Sequence, residues 1–215
     1  MRRSEFASDD MTEFEYIVQH GIIGHLGLVD RNNYARIIPL NFGVIGTDIY
    51  FHGATEGEKY DLMQYRDKAS FSIEVPYSFI PSYFSSDKSA VPTSHFFKSV
   101  HMRGRVDIIE DLMEKAKGFM SMMNKYQPEG GYVEINPKVN FYRKPLTDVG
   151  VFRFVPNEIT MKIKFGQNAS QPQIERIISY LRKRGTDLDF QTVGEIIKRS
   201  PYDLSHLLLT NSSKN

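Results

Sequence analysis

The sequence predicts a mainly β fold with flanking helices, its strands antiparallel in a closed or nearly closed barrel, followed by a C-terminal helical extension. Three observations predict it. Six or seven strand-like runs follow one another with few helices between them, which does not suit a doubly wound parallel sheet. Turn residues punctuate those runs at Asp30-Arg31-Asn32-Asn33, Gly46-Thr47-Asp48 and Pro156-Asn157. Beyond Gly166 the apolar spacing becomes helical. The domain boundary follows from the third observation: 1–166 as the barrel and 167–215 as the extension.

Asp10, with Glu13 three residues on, resembles a capping box, and Met11, Phe14, Ile17 and Val18 give the first helix a buried stripe that ends at Gly21. Strands are expected over 22–29, 34–42 and 49–52, then a short helix over 57–66 and a strand over 69–75. Residues 76–96 carry three prolines and no clear period, so they read as a long loop. That loop holds Tyr77, Phe79, Ile80, Tyr83, Phe84, Val91 and Phe96, an apolar surface that calls for a ligand or a partner subunit to cover it. A strand over 97–109 leads into a helix over 110–126, with Leu112, Ala116, Phe119, Met120 and Met123 on its apolar side. Residues 149–155 and 159–165 are expected to form a hairpin turned at Pro156-Asn157. In the extension, Ser170 and Pro172 start a helix whose Ile174, Ile177, Ile178 and Leu181 recur at helical spacing and which Gly185 stops. A second helix is expected over 189–199, a last turn over 204–209, and a frayed end over 211–215.

Composition excludes several chemistries. With no cysteine there can be no disulfide, thiolate catalysis or cysteine-ligated metal. A net charge of +1 gives no overall field for nucleic acid or an anionic membrane. Met1-Arg2-Arg3 is followed by a polar stretch rather than an apolar run, and no stretch approaches the ~18 apolar residues of a membrane helix, so a cytoplasmic protein is expected. His20, His25 and His206 show no ligand spacing, and no carboxylate motif accompanies His95 and His101, so no metal site is expected. For the last two, haem ligation is a better reading than a metal pair.

One constellation carries chemistry. The strand ending at His52 gives way to Gly53 and Ala54, and a helix begins within a few residues, with Lys59 on its first turns and Arg36 on the neighbouring strand. Small residues let a ligand approach the backbone, a helix start offers free N–H groups, and Arg and Lys supply the cations that a phosphate monoester prefers. Pro39 cannot donate to a ladder, so its strand must lie at an edge or be bulged, which frees the backbone around Ile38 and Leu40 for a planar heterocycle. By spacing alone the same residues also fit an ordinary turn with solvated charges, and no Walker or Rossmann glycine pattern is present.

These stretches resemble a known family. Ile38-Pro39-Leu40-Asn41-Phe42-Gly43 and Tyr50-Phe51-His52-Gly53-Ala54, with Gly57-Glu58-Lys59, are similar to the FMN-binding split barrels related to pyridoxamine-phosphate oxidase, and within them to the nitroimidazole-reductase (Nim-like) group. The likeness begins at Met1-Arg2-Arg3, resumes through 97–106 and Glu110-Asp111, and includes Arg184-Gly185-Thr186-Asp187-Leu188-Asp189. It implies a six-stranded split barrel that forms a homodimer with FMN at the interface. Arg36, His52, Gly53, Ala54 and Lys59 would serve the ribityl phosphate. The Ile38-Pro39-Leu40 backbone would lie along the flavin ring, and Ser94 and Ser99 would reach it from the partner subunit. His52 is the candidate for a polar contact in catalysis. The implied activity is transfer of electrons from NAD(P)H to a small acceptor such as a nitroaromatic; the alternative is a non-catalytic flavin or haem carrier or a redox sensor. Many relatives carry a tryptophan near Phe96 or Phe97, and this chain has none, which bears on ring stacking and substrate preference.

Overall fold

The structure is a computed structural model that describes residues 3–207. Met1 and Arg2, Leu208 and Leu209 of the expected last turn, and the 211–215 end lie outside the described residues. The strands are β1 (Ala7–Ser8), β2 (Gly24–Val29), β3 (Ala35–Leu40), β4 (Gly43–Ile45), β5 (Asp48–Gly53), β6 (Lys68–Ile80), β7 (Ser94–Ile109) and β8 (Gly150–Lys164). The helices are α1 (Met11–His20), α2 (Glu58–Tyr65), α3 (Leu112–Tyr126), α4 (Asn140–Asp148), α5 (Gln171–Arg184) and α6 (Asp187–Arg199). The sheet runs β3-β2-β6-β7-β8-β5-β4, with β1 on β8, and its path is open. Its registered pairs are antiparallel. The mainly β expectation therefore holds, and without the two-residue β1 and three-residue β4 the expected six strands remain. Among the described residues no helix is long and apolar enough to cross a membrane.

The residues gather into two compact units. The first comprises Asp10–Glu74 and Val100–Thr160, and the second the described parts of Met1–Asp9, Val75–Ser99 and Met161–Asn215.

In the first unit the core is aromatic. Phe71 on β6 meets Phe42 edge-on at 5.8 Å and Phe154 on β8 at 5.7 Å, and all three are buried. Each such ring contributes roughly 1.5–3 kcal/mol by leaving water. Along β2 burial alternates, as a half-covered strand requires. On β5 it does not: Ile49, Tyr50 and Phe51 are all buried, because α3 covers the second face. Tyr50 donates to Glu114 of α3 at 3.2 Å, and a Cβ on Gly118 would come within 2.7 Å of the Tyr50 ring.

Several expected boundaries move. Residues 149–165 are not a hairpin but one continuous strand, β8. Gly104 of β7 explains it: a Cβ there would lie 2.1 Å from the Val155 carbonyl and 2.9 Å from the Pro156 Cα, so the β7 backbone passes against the residues read as a turn. Of the side expected of α3, Ala116 is buried and Leu112, Phe119, Met120 and Met123 are half-buried; Lys115, Gly118 and Met122 are buried as well. Lys115 is buried because its ammonium donates to the Leu146 and Val149 carbonyls at 3.1 and 2.9 Å, which satisfies the buried charge. Asp10 caps α1 by accepting from the Thr12 amide at 2.9 Å.

In the second unit the expected long loop shrinks to 81–93, because β6 runs on through Pro76 to Ile80 and β7 begins at Ser94. Pro76 lies beyond the residues where β6 pairs with β2, so its missing N–H costs no bond on that side. The chain covers much of the aromatic segment itself. Tyr77, Ile80, Phe84 and Phe96 are buried, and Phe84 stacks on Tyr180 of α5 at 4.8 Å; Phe79, Tyr83 and Val91 stay exposed. Ser170 is the N-cap of helix α5, as expected, and forms a capping box with Gln173; the helix's four isoleucine and leucine positions are buried.

Asp189, in the first turn of α6, anchors this arrangement and is 1% exposed. Its carboxylate accepts from Arg184 Nε at 2.9 Å, from Arg184 Nη2 at 2.5 Å, from Ser78 Oγ at 2.6 Å and from the Thr186 amide at 3.2 Å. Arg184 also donates to the Phe79 carbonyl at 3.0 Å, so one ion pair ties the α5–α6 corner to the end of β6. The Arg184 guanidinium and these donors hold the Asp189 carboxyl well below the usual carboxylate range. Because the folded value is the lower one, Asp189 contributes stability above its unfolded pKa of ~3.9 and loses it as the pH falls below that. Asp189→Ala should cost roughly 1–3 kcal/mol at pH 7, since it leaves the buried Ser78 hydroxyl without its acceptor, and the gap from wild type should narrow on acidification toward pH 3. Urea unfolding at the two pH values checks this; equal stabilities at pH 7 would contradict it.

Candidate functional site

The predicted site residues of the first unit lie on β3, β5 and α2. Strand β3 is the terminal strand of the sheet, which meets the edge alternative that Pro39 posed, and among the described residues it pairs with β2 alone, placing Pro39 opposite His25. An edge strand turns the backbone groups of alternate residues outward, unpaired. Its side chains are open too: Ile37 is 63% exposed, and Ile38 and Leu40 are half-buried.

The end of β5 provides the cradle. Gly53 faces Gly150 in the β5–β8 ladder, and Phe51 faces Phe152, with the two rings stacked at 5.3 Å. Neither glycine has room for a side chain. A Cβ on Gly53 would meet Lys59 Nζ at 2.3 Å, and one on Gly150 would meet the Phe152 ring at 2.8 Å and the Gly53 carbonyl at 2.9 Å. Lys59 thus lays its ammonium over Gly53, 5.9 and 5.7 Å from the Phe51 and Phe152 ring centres, with a long contact of 3.5 Å to the His52 carbonyl. Burial lowers its pKa. The imidazole of His52 reaches solvent but packs on Phe119 at 5.3 Å. Burial first, and then the Lys59 charge, lower its pKa, which favours the neutral ring.

Helix α2 starts at Gly57, which has φ +89°, open space where a Cβ would stand and no side-chain cap. Its first-turn N–H groups are therefore available, with the partial positive charge of a helix start. Ala54 is exposed beside it. Ammonium, helix start and absent side chains together suit a phosphate monoester, so the residues present fit the head group of FMN.

Arg36 adds a feature that sequence reasoning missed. Its guanidinium is held by Glu58, the first residue of α2, at 2.5 Å, and both side chains are exposed. The pair brings β3 and α2 together but commits the Arg36 charge to a carboxylate. The spacing of 22 residues between them gave no signal in the sequence. Gly150 and Phe119 were missed as well, since both come from distant segments.

Other predicted residues lie elsewhere. Ser94 and Ser99 belong to the second unit: Ser94 accepts from Lys164 Nζ at 2.6 Å, and Ser99 is 2% exposed. His95, in the same unit, donates through Nε2 to the Tyr77 carbonyl at 2.7 Å. His20 donates to the Tyr16 carbonyl at 2.8 Å, His25 lies 3.3 Å from Glu74, and His206 is exposed. Among the described residues no group of three or more His, Asp or Glu side chains could hold a metal ion.

Comparison with known proteins places this geometry in a family. Residues 10–163 match the family model for pyridoxamine 5'-phosphate oxidase, well over half of the chain. The chain belongs to the pyridoxamine 5'-phosphate oxidase-like family. Among solved structures, an FAD and haem binding protein from Mycobacterium smegmatis superposes with a TM-score of 0.62 at 14% identity, covering 79% of this chain and 78% of that one. The flavocytochrome Anf3 from Azotobacter vinelandii gives 0.61 at 19%, covering 74% and 69%. A protein assigned to 5-nitroimidazole antibiotic resistance in Bacteroides thetaiotaomicron gives 0.59 at 21%, covering 73% and 86%. At these identities the likeness establishes the shared split-barrel fold. No curated protein matches the sequence.

The electrostatics of the cradle can be tested without a ligand. Lys59→Ala removes one of the two causes that lower the His52 pKa, so the His52 titration should move upward while staying below its ordinary value, because burial remains. NMR titration of the imidazole reads this directly; an unchanged midpoint would show that the ammonium does not act on His52.

Proposed function

We propose that this protein is an FMN-dependent oxidoreductase that accepts electrons from NADH or NADPH and passes them to a small acceptor such as a nitroaromatic. It would do so in the cytoplasm, as a homodimer with FMN at the interface. The observation that carries this reading is the ammonium of Lys59 seated over the side-chain-free Gly53 at the start of α2, on the β5 end next to Gly150. When bound, FMN supplies the hydride chemistry; the protein's part is to bind, orient and tune it.

Lys59 and the first N–H groups of α2 would hold the phosphate, and Gly53 and Ala54 would let it approach the backbone. A helix start offsets only about half a unit of charge against a phosphate that carries nearly two, so side-chain cations must complete the neutralisation. Arg36 can join them once it is released from Glu58. The outward backbone of β3 around Ile38, Pro39 and Leu40 would lie along the flavin ring, and neutral His52 would offer a polar contact beside it. Ser94, more open than the buried Ser99, is the better contact from the partner subunit. The family match and the flavin and nitroimidazole proteins among the structural neighbours support the class.

A second reading, a haem-binding or flavin carrier, is favoured by one observation: His25 and His101 line the same recess of about 450 Å³, together with Gly27, Ser70 and Ser72. Anaerobic addition of NADPH separates the two, because an enzyme's flavin band bleaches within turnover times and a carrier's does not.

Charge-assisted hydrogen bonds are worth about 1.5–3 kcal/mol each when a partner is removed. Lys59→Ala should therefore weaken FMN binding by roughly 10- to 150-fold while barely changing the weaker binding of riboflavin, which lacks the phosphate. Glu58→Gln should tighten FMN binding by freeing Arg36, and Lys183→Ala on α5 should change neither ligand. Fluorescence titrations decide: equal losses for FMN and riboflavin in the Lys59 variant would show that Lys59 does not serve the phosphate.

A further inference from the structure

Helix α3 lines a recess of about 570 Å³ in the first unit that the flavin reading does not use. Lys117, Met120, Ser121, Asn124 and Lys125 recur at i, i+3, i+4, i+7 and i+8, so they lie on one face of the helix. Val18 and Gln19 at the end of α1 and Val44 and Ile45 around β4 form the rest of the wall. Gly43 fixes that wall: a Cβ there would lie 2.0 Å from the Ser121 hydroxyl, so β4 begins pressed against α3. Among the described residues no Asp or Glu lines the recess.

Lys125 is held there by backbone alone. Its Nζ donates to the Val18 and Gln19 carbonyls at 2.6 and 2.9 Å, in the last turn of α1, where helix carbonyls lack intrahelical partners. A neutral amine has two N–H groups and a lone pair, so these two carbonyls are all that it needs; an ammonium has a third N–H to place. The other groups close to Nζ are the Phe42 and Tyr126 rings, 4.6 and 5.5 Å away at their centres, and among the described residues no carboxylate pairs with it. Burial lowers its pKa to about 8. Lys115, one helix face away, also donates to two carbonyls but is 5% exposed, whereas Lys125 is half-buried and opens onto the recess. Lys117 adds an exposed second cation on the same face. A partly desolvated lysine beside another cation is an arrangement that activates an amine as a nucleophile.

We propose that Lys125 is a nucleophile that accepts an acyl group from a small acyl phosphate in this recess, with the phosphate drawn to Lys117 and the acyl chain against Val44, Ile45 and Met120. The ammonium first gives a proton to water. The lone pair of the amine then attacks the acyl carbon; the C–N bond forms, the C–O bond to phosphate breaks, and inorganic phosphate leaves with that electron pair. Loss of one further proton from nitrogen to water leaves a neutral amide. The amide has one N–H where the amine had two, so one carbonyl at the end of α1 gives up its partner. The inference does not rest on the flavin reading; a protein that never binds FMN could still be acylated here.

The test is treatment of the purified protein with acetyl phosphate, followed by mass-spectrometric peptide mapping over time. At pH 7.5 an amine with a pKa of about 8 is neutral in roughly a quarter of molecules, against about 0.1% for an ordinary lysine. Lys125 should therefore be acetylated at least ~10-fold faster than the exposed Lys183 of α5, and the ratio should fall as the pH is raised above ~10. This comparison uses the unaltered protein, so it does not depend on a variant that folds. Lys117→Gln changes an exposed side chain; it should slow the reaction of Lys125 with acetyl phosphate by ~3-fold or more and leave its reaction with the uncharged donor 4-nitrophenyl acetate nearly unchanged. Equal rates for Lys125 and Lys183 at pH 7.5 would overturn Lys125 as the nucleophile. The same effect of Lys117→Gln on both donors would overturn the acyl phosphate as its partner.

Discussion

The candidate site depends on one steric constraint, the facing glycines at the end of the β5–β8 ladder. Gly53 and Gly150 are paired, and each is closed to a side chain by a different neighbour: the Lys59 ammonium for one, the Phe152 ring and the Gly53 carbonyl for the other. The consequences spread outward. Because Phe152 folds over Gly150, it stacks on Phe51 and makes the aromatic floor under Lys59. Because Lys59 lies over Gly53, its charge acts on His52 two positions along the chain from Ala54, and α2 starts with an uncapped first turn beside it. A larger residue at Gly53 would push aside the flexible end of a lysine; one at Gly150 would meet backbone, which cannot yield as cheaply.

Charge is handled differently in the two units. In the first, Arg36 and Glu58 form an exposed pair of the kind that is worth little in stability, so exchanging Glu58 for an incoming phosphate costs little. In the second, the buried Asp189 carboxylate is bonded to the buried Ser78 hydroxyl, to the Thr186 amide and to an Arg184 that reaches solvent, so removing the carboxylate leaves Ser78 without its acceptor. The exposed pair suits a group that can change partners, and the buried carboxylate suits a corner that stays fixed.

Much of this was legible in the sequence, and the reasons are physical. Pro39 announced an edge strand because proline lacks a donor, and β3 is that edge. Ser170, Pro172 and Gly185 announced the start and stop of α5 through local backbone rules. The succession His52, Gly53, Ala54 and Lys59 announced a small-residue bend leading into a helix with a cation, which is how the chain runs there. What escaped depends on residues far apart in the chain. Pro156-Asn157 reads as a turn until Gly104, some fifty residues earlier, is found packed against it. Lys115 falls outside the apolar side expected of its helix, and its burial is explained only by the distant Leu146 and Val149 carbonyls that receive its ammonium. Pro76 reads as a strand breaker until β6 is seen to continue past the end of its pairing with β2. Asp189 reads as the first residue of a helix, and nothing near it in sequence shows that Ser78 will be its partner.

The most direct test of the account is the visible spectrum of the purified protein, followed by chromatography of what it releases on denaturation. A phosphate cradle made of Lys59, Gly53 and the start of α2, with the open edge of β3 beside it, predicts a yellow protein that releases FMN and not FAD. A protein that stays colourless and takes up no added FMN would contradict it.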